Sequence, residues 1–87
     1  MQIAAGMIVR SLAGHDAERF YVVLAVQGAN ALIADGKRRK LRKPKVKNLR
    51  HLAPTRTVLT LSQLTTDAKI RRALWPFNYG GEDPVME

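Results

Sequence analysis

A window of twenty residues, 37–56, holds ten basic side chains and no acidic one. The flanking segments are nearly neutral, since residues 1–36 carry a formal charge of −1 and residues 57–87 also carry −1, against +8 for the whole chain. Like charges packed so closely repel one another unless counterions or phosphates surround them. Few folded surfaces carry such a segment without a polyanionic partner, so the positive charge of this basic window is a local feature and not a general bias of composition.

Chain length and composition limit the architecture. Eighty-seven residues leave room for one small domain with an appendage. The chain has no cysteine, so neither disulfides nor thiolate metal sites can reinforce a weak core, and stability must come from packing. No apolar run approaches the roughly 18 residues that span a bilayer, and the N-terminus lacks the features of a signal peptide. We expect a soluble, cytoplasmic, monomeric protein.

The first half of the chain has the pattern of short β-strands. Three segments rich in β-branched and aromatic residues predict strands over Met7–Ser11, Arg19–Val26 and Ala31–Ala34. Asp35 and Gly36 both tolerate positive φ, so they predict a tight hairpin with a returning strand over Lys37–Arg42. Asn48–Ala53 can pair as a fifth strand before Pro54. Four or five strands this short, joined by tight turns, predict a small and partly open antiparallel barrel.

The composition changes after Pro54, and we expect the β domain to span residues 1–54. The remainder, 55–87, then contains a linker or an added edge strand, a short helix over about residues 66–75, and a disordered tail that begins at Phe77. A helix of two turns is marginal alone, so it must dock on the sheet, form on binding, or fray.

Side-chain chemistry sets the expected ends of this helix. Thr65 or Thr66 can cap the N-terminus, and the carboxylate of Asp67 suits the positive end of the helix dipole. Pro76 lacks the N–H group that a continuing helix needs, so we expect the helix to end there.

The basic window is the candidate binding surface for a polyanion. Lys and Arg neutralise phosphates and release condensed counterions, and Arg can grip a phosphate through two parallel hydrogen bonds. Six such contacts predict that log affinity falls with log salt at a slope of roughly −4 to −5. A solvated charged face and a nuclear import tag are the alternatives. The residues assigned to this contact are Lys37, Arg38, Arg39, Lys40, Arg42, Lys43, Lys45, Lys47 and Arg50.

Four further residues carry specific predictions. Tyr21, on the outer face of the second strand, can stack on a splayed base, or it can pack under the C-terminal helix. His15 either touches a phosphate or is only a turn residue. Gly14 and Gly36 are expected to adopt positive φ at turns, and a glycine also permits close approach of the backbone to ribose-phosphate.

The sequence offers no constellation for catalysis. Its seven carboxylates are scattered, its two histidines stand 36 positions apart, and it has neither a Ser/His/Asp set nor a phosphate-cradling glycine loop. We therefore expect no enzyme activity, no metal, no cofactor and no small-molecule substrate. Membrane attachment would need a basic amphipathic helix, and Pro44 with its strand-like neighbours argues against one.

Three stretches together resemble a known RNA-binding motif. They are Gly6–Asp16 with Gly14 inside it, Leu32–Gly36, and the basic Lys45–Leu52, which ends in Arg-His-Leu. In this order they resemble the KOW motif, and the chain is most similar to the bacterial KOW-domain RNA-binding proteins grouped with a family of archaeal and eukaryotic large-subunit ribosomal proteins. The likeness covers residues 6–52, with a weaker echo in Asp67–Leu74.

The resemblance implies an SH3-like (KOW) barrel of four to five antiparallel strands followed by a short helix. It also implies a ribonucleoprotein role in translation, with binding to ribosomal RNA of the large subunit. In that family a glycine commonly precedes the Arg-aromatic pair, whereas Glu18 precedes Arg19 here. Two alternatives stay open: an SH3-like module with a peptide groove formed by aromatic residues, and a transcription-associated KOW module that binds polymerase. The groove residues would be Tyr21, Trp75 and Phe77.

Overall fold

A computed structural model of the chain describes residues 2–15 and 17–80. It contains one antiparallel sheet whose strands lie in the order β4-β3-β2-β1-β5, followed by one C-terminal helix. The expected mainly β fold is confirmed at this level. β4 and β5 are the two edges, and no pairing between them closes the sheet within the described ranges. The elements are β1 (Met7–Ser11), β2 (Phe20–Gln27), β3 (Asn30–Ala34), β4 (Lys45–Asn48), β5 (Leu52–Val58) and α1 (Asp67–Asn78).

The first three strands lie within one residue of their predicted ends. β2 and β3 form a tight hairpin in which Gln27 pairs with Asn30 across a two-residue turn. Gly28 opens this turn with φ +61°. A positive φ at the first turn position is easy only for glycine, so this residue sets the register of the hairpin.

The predicted hairpin at Asp35-Gly36 and the returning strand over Lys37–Arg42 are wrong. The chain instead forms an irregular loop after β3, and the returning strand is β4, whose Lys45 pairs with Ile33. The Asp35 carboxylate binds backbone N–H groups of the loop itself. Those groups are then unavailable to a strand ladder, which explains why the basic residues after Gly36 do not pair with β3.

The fifth strand lies further along the chain than predicted. Residues 49–51 form a short 3₁₀ helix instead of continuing the expected strand Asn48–Ala53, and β5 then passes through Pro54, which pairs with Val9. A proline is tolerated here because β5 is an edge strand. The edge-strand alternative for the segment after Pro54 is therefore correct, and the expected domain boundary at residue 54 falls inside the sheet.

The helix begins where the sequence predicted. Thr66 is the N-cap, and its side-chain oxygen accepts a hydrogen bond from the backbone N–H of Lys69 at 3.2 Å. Pro76 does not end the helix, which continues to Asn78. Asn78 accounts for the extra turn because its Oδ1 accepts the N–H of Phe20 at 2.8 Å and its Nδ2 donates to the Phe20 carbonyl at 3.3 Å.

These contacts dock the end of α1 on the start of β2. The rings of Phe20 and Phe77 also pack with centroids 5.4 Å apart. Together they offset the roughly 3 kcal/mol that a proline costs inside a helix. The disorder predicted from Phe77 onward is wrong for Phe77 and Asn78, and residues 81–87 lie outside the described ranges.

Both faces of the sheet are covered. Val22 and Tyr21 point to opposite faces of β2. The register with β3 shifts between Val23 and Ala25, and Val26, beyond this shift, is exposed. The helix-side core consists of Ile8, Val22, Ala34, Leu64, Ile70 and Leu74, with Phe20, Leu24, Leu41 and Phe77 packed against it. The Tyr21 core consists of Met7, Val9, Tyr21, Val23, Ala31, Ile33 and Leu52.

Candidate nucleic-acid interface

The segment between β3 and β4 carries most of the positive charge of the basic window. We call residues 37–44 the basic loop. Its six cations are all exposed, and among the described residues the only ion pair joins Arg10 to Glu18, outside the loop. Within residues 2–15 and 17–80, none of these six charges is paired with a carboxylate. The six are Lys37, Arg38, Arg39, Lys40, Arg42 and Lys43.

A buried carboxylate holds the backbone at the start of the basic loop. Asp35 is 3% exposed, and its Oδ1 accepts the N–H groups of Lys37 at 2.9 Å and of Arg39 at 2.8 Å. In return the Arg39 carbonyl accepts the N–H groups of Asp35 at 2.9 Å and Gly36 at 3.1 Å. Hydrogen bonds to an ionised carboxylate are stronger than neutral ones, so this turn is well fixed while its side chains point outward.

The helix holds the rest of the basic loop. Asp67 Oδ1 accepts the N–H of Leu41 at 2.9 Å, and the Arg71 guanidinium donates to the Gly36 carbonyl at 2.6 Å. Gly36 has φ +78°, as expected, and a Cβ at this position would collide with the carbonyl of Asp67. Leu41 packs against the helix-side core. The loop backbone is therefore attached to α1.

The remaining basic residues lie in different environments. Lys45 is half-buried in β4, and Arg50 is exposed on the 3₁₀ helix that follows. Lys47 is only 9% exposed, and its ammonium donates to the carbonyl of Ala13 at 2.8 Å. Because this nitrogen is used inside the protein, Lys47 is removed from the proposed contact set and becomes a structural link between β4 and the β1–β2 loop.

The other predicted site residues also differ in their exposure to solvent. His15 is exposed on the β1–β2 loop, and Gly14 in that loop has φ +87°, as predicted. Tyr21 is 1% exposed and belongs to the Tyr21 core, on the sheet face opposite the helix. Its ring can therefore neither stack on a base nor pack under α1, and both interpretations of Tyr21 are wrong.

Sequence reasoning missed a pocket of about 430 Å³ beside the basic loop. Residues from the start of β2, the basic loop and α1 line it. The missed signal was the spacing of Trp75 and Tyr79, which share one side of a helix only if that helix continues past Pro76. The charged and aromatic lining residues are Arg19, Asp35, Lys37, Lys40, Arg71, Trp75 and Tyr79.

Two of these lining residues are electrostatically linked. A hydrogen bond with Arg19, together with the nearby charge of Lys37, lowers the pKa of the Tyr79 hydroxyl below its ordinary value. The same hydrogen bond raises the pKa of Arg19. This interaction connects the residue directly before β2 with the residue directly after α1, and both line the pocket.

Comparison with known proteins assigns no family: no protein-family model matches the chain, and no curated protein sequence is significantly similar to it. Within residues 2–15 and 17–80 no helix has the length and apolar character needed to traverse a bilayer. In the same ranges no three His, Cys, Asp or Glu side chains lie together as a metal site would require.

Proposed function

We propose that this chain is an RNA-binding protein of the KOW type, associated with ribosomal RNA, and that the basic loop is its phosphate-binding surface. The observation that carries the proposal is the exposure of six cations on a backbone held by Asp35 and Asp67. A fixed cationic surface loses little conformational freedom when it binds phosphates, and counterion release supplies the driving force.

The strand order supports an SH3-like barrel as the finer description of the sheet. β1 pairs with both β2 and β5, and a 3₁₀ helix connects β4 to β5. Arg50 lies on this connection, at the opposite end of β4 from the basic loop. The Leu12 N–H donates to the His51 carbonyl at 2.8 Å, which holds the β1–β2 loop, with His15, beside the same connection. Arg50 and His15 therefore form a second, smaller contact region.

The structure does not support the peptide-groove alternative, because the three aromatic residues proposed for the groove do not lie together. Tyr21 is buried on one face of the sheet, whereas Phe77 packs against the helix-side core on the other face. These rings cannot form one groove with Trp75. A transcription-associated KOW module would use the same cations, and co-purification with ribosomes or with polymerase distinguishes the two. Sucrose-gradient fractionation of a lysate at low and high salt is the direct measurement.

The binding surface is tested by replacing the four loop cations that lie outside the pocket. The variant is Arg38→Gln, Arg39→Gln, Arg42→Gln and Lys43→Gln. We expect its affinity for labelled ribosomal RNA to fall about 100-fold or more at moderate salt, and the slope of log affinity against log salt to become shallower by about 3, because four phosphate contacts are lost. Fluorescence anisotropy at several salt concentrations measures both quantities.

A control variant removes charge elsewhere. Lys69→Gln with Arg72→Gln changes two exposed cations of α1 that lie outside the basic window. We expect less than a threefold change in affinity and a slope changed by well under 1. If the quadruple variant binds RNA as the unmodified protein does, or if the control loses as much affinity as the quadruple variant, the basic loop is not the interface.

A further inference from the structure

The pocket beside the basic loop combines features that bare phosphate binding does not need. Its volume of about 430 Å³ lies in the range of small-ligand sites. Four cations line it, two from the basic loop, one from the residue directly before β2 and one from α1. Asp35 lines it too, and this carboxylate disfavours an inorganic anion that would fill the pocket by itself.

One wall of the pocket is aromatic. The rings of Trp75, on the last turn of α1, and Tyr79, the residue that follows the helix, have centroids 4.4 Å apart and planes tilted by 35°. Trp75 is half-buried, and Tyr79 is 46% exposed although it is a large aromatic side chain. A nucleobase of any kind can extend such a stack, because every base has a π face.

The polar groups of the pocket match a base better than a phosphate. Arg19 Nε and Asp35 Oδ2 are buried and have no hydrogen-bond partner among the described residues. Both residues line the pocket, so its wall carries a guanidinium donor and a carboxylate acceptor, the combination that the edge of a base can satisfy. Arg19 and Tyr79 both line the pocket, so its polar side adjoins its aromatic wall.

We propose that this pocket receives one unpaired nucleotide of the RNA that the basic loop binds. The base stacks on Trp75 and Tyr79, and the adjoining phosphates are neutralised by Lys37 and Lys40. This inference rests on the proposed function and extends it: the outer cations of the basic loop bind any RNA, whereas the pocket selects RNA that has an unpaired base. A continuous duplex keeps its bases stacked and cannot fill the pocket.

Trp75 is the only tryptophan in the chain, so its fluorescence reports directly on the pocket. The probes are an RNA hairpin with a single-stranded loop, a blunt duplex of the same length, a free mononucleotide and inorganic phosphate. We expect the hairpin to quench Trp75 emission by about half or more, with the same midpoint as binding measured by anisotropy. The duplex and phosphate should leave the emission within about a tenth of its starting value.

A pair of variants tests whether the pocket is the source of the preference for RNA with an unpaired base. Tyr79→Ala should reduce the preference for hairpin over duplex about tenfold, because it removes one ring of the stack. Arg38→Gln, outside the pocket, should lower the affinity for both RNAs equally and leave the preference unchanged. Circular dichroism of both variants checks that they are folded.

The outcomes separate this inference from the proposed function. If the protein binds no RNA, the proposed function is wrong. If it binds the hairpin with unchanged Trp75 emission, or if the duplex quenches equally, RNA binding stands and the pocket inference is overturned. A mononucleotide that binds as tightly as the hairpin also overturns it, since the pocket would then serve free nucleotides.

Discussion

The basic window divides at Pro44 into two parts that are both rich in basic residues but differ in exposure. In the part before Pro44 all six cations are exposed, whereas in β4, directly after it, Lys45 is half-buried and Lys47 is buried with its ammonium on the Ala13 carbonyl; Arg50 and Arg56, beyond β4, are exposed again. A high density of charge therefore predicts a binding region, but it does not predict which of its residues are exposed to a ligand. Burial and internal hydrogen bonds make that distinction.

The two parts also differ in what holds the chain. In the basic loop the acidic groups of Asp35 and Asp67 fix the backbone, and the basic side chains are exposed. In β4 the basic side chain of Lys47 is itself a structural donor. Substitutions should therefore separate the parts: changes in the loop side chains reduce affinity without reducing stability, and the change at Lys47 does the reverse.

The largest expected effect on stability comes from the carboxylate under the basic loop. Asp35→Ala removes the acceptor of two N–H groups, and we expect the free energy of unfolding to fall by about 3 kcal/mol, since hydrogen bonds to charged groups contribute about 1.5–3 kcal/mol each. Urea denaturation followed by circular dichroism measures the change.

Asp67 provides the matched control, because its Oδ1 accepts only the Leu41 N–H in the same loop. Asp67→Ala should cost about half as much, including its favourable charge at the helix N-terminus. If the Asp35→Ala protein is as stable as the unmodified one, the Asp35 carboxylate does not hold the backbone of the basic loop. The basic loop and β4 would then not differ in what holds the chain.

A smaller effect tests the other part of the window. Lys47→Met keeps the length of the side chain but loses the hydrogen bond to Ala13, so we expect unfolding to become easier by about 1–2 kcal/mol. RNA affinity measured on the folded protein should change by about twofold or less.

Arg38→Met is the reciprocal control. Arg38 is exposed, so stability should change by less than about 0.5 kcal/mol, while the RNA affinity falls several-fold with the loss of one phosphate contact. If Lys47→Met lowers RNA affinity as much as Arg38→Met does, then Lys47 belongs to the interface and the division at Pro44 is wrong.

Patterns carried by local residues predicted much of this fold. The β-branched and aromatic runs of β1, β2 and β3 and the N-cap Thr66 depend on neighbours in sequence, and they were located within one residue. The positive φ of Gly14 and Gly36 was predicted for the same reason. Such features need no knowledge of distant contacts.

Most of the failures involve contacts between distant parts of the chain. Asp35 is partly an exception: it was expected to form a hairpin turn, but its carboxylate binds backbone N–H groups two and four positions along a loop that the helix also holds. Pro76 was expected to end α1, but Asn78 binds the backbone of Phe20, 58 positions away. Tyr21 was predicted on an outer face, because no pattern in the sequence indicated that a second core covers that side of the sheet. The pocket was missed because it depends on both the loop and the extended helix.

The smallest expected effect concerns the loop that Lys47 supports. Glu18 has φ +72°, a conformation that glycine adopts more easily, and glycine is the residue expected here from the resemblance to KOW proteins. Relief of this strain contributes about 1 kcal/mol, and loss of the exposed pair with Arg10 subtracts a few tenths. Glu18→Gly should therefore raise the free energy of unfolding by about 0.5 kcal/mol.

Glu18→Ala separates the two contributions, because it loses the ion pair with Arg10 but keeps a side chain at positive φ. We expect it to be slightly less stable than the unmodified protein, by a few tenths of a kcal/mol. Denaturation curves of the two variants under identical conditions measure the difference. Equal stability of the Gly and Ala variants would mean that the backbone at Glu18 stores no strain.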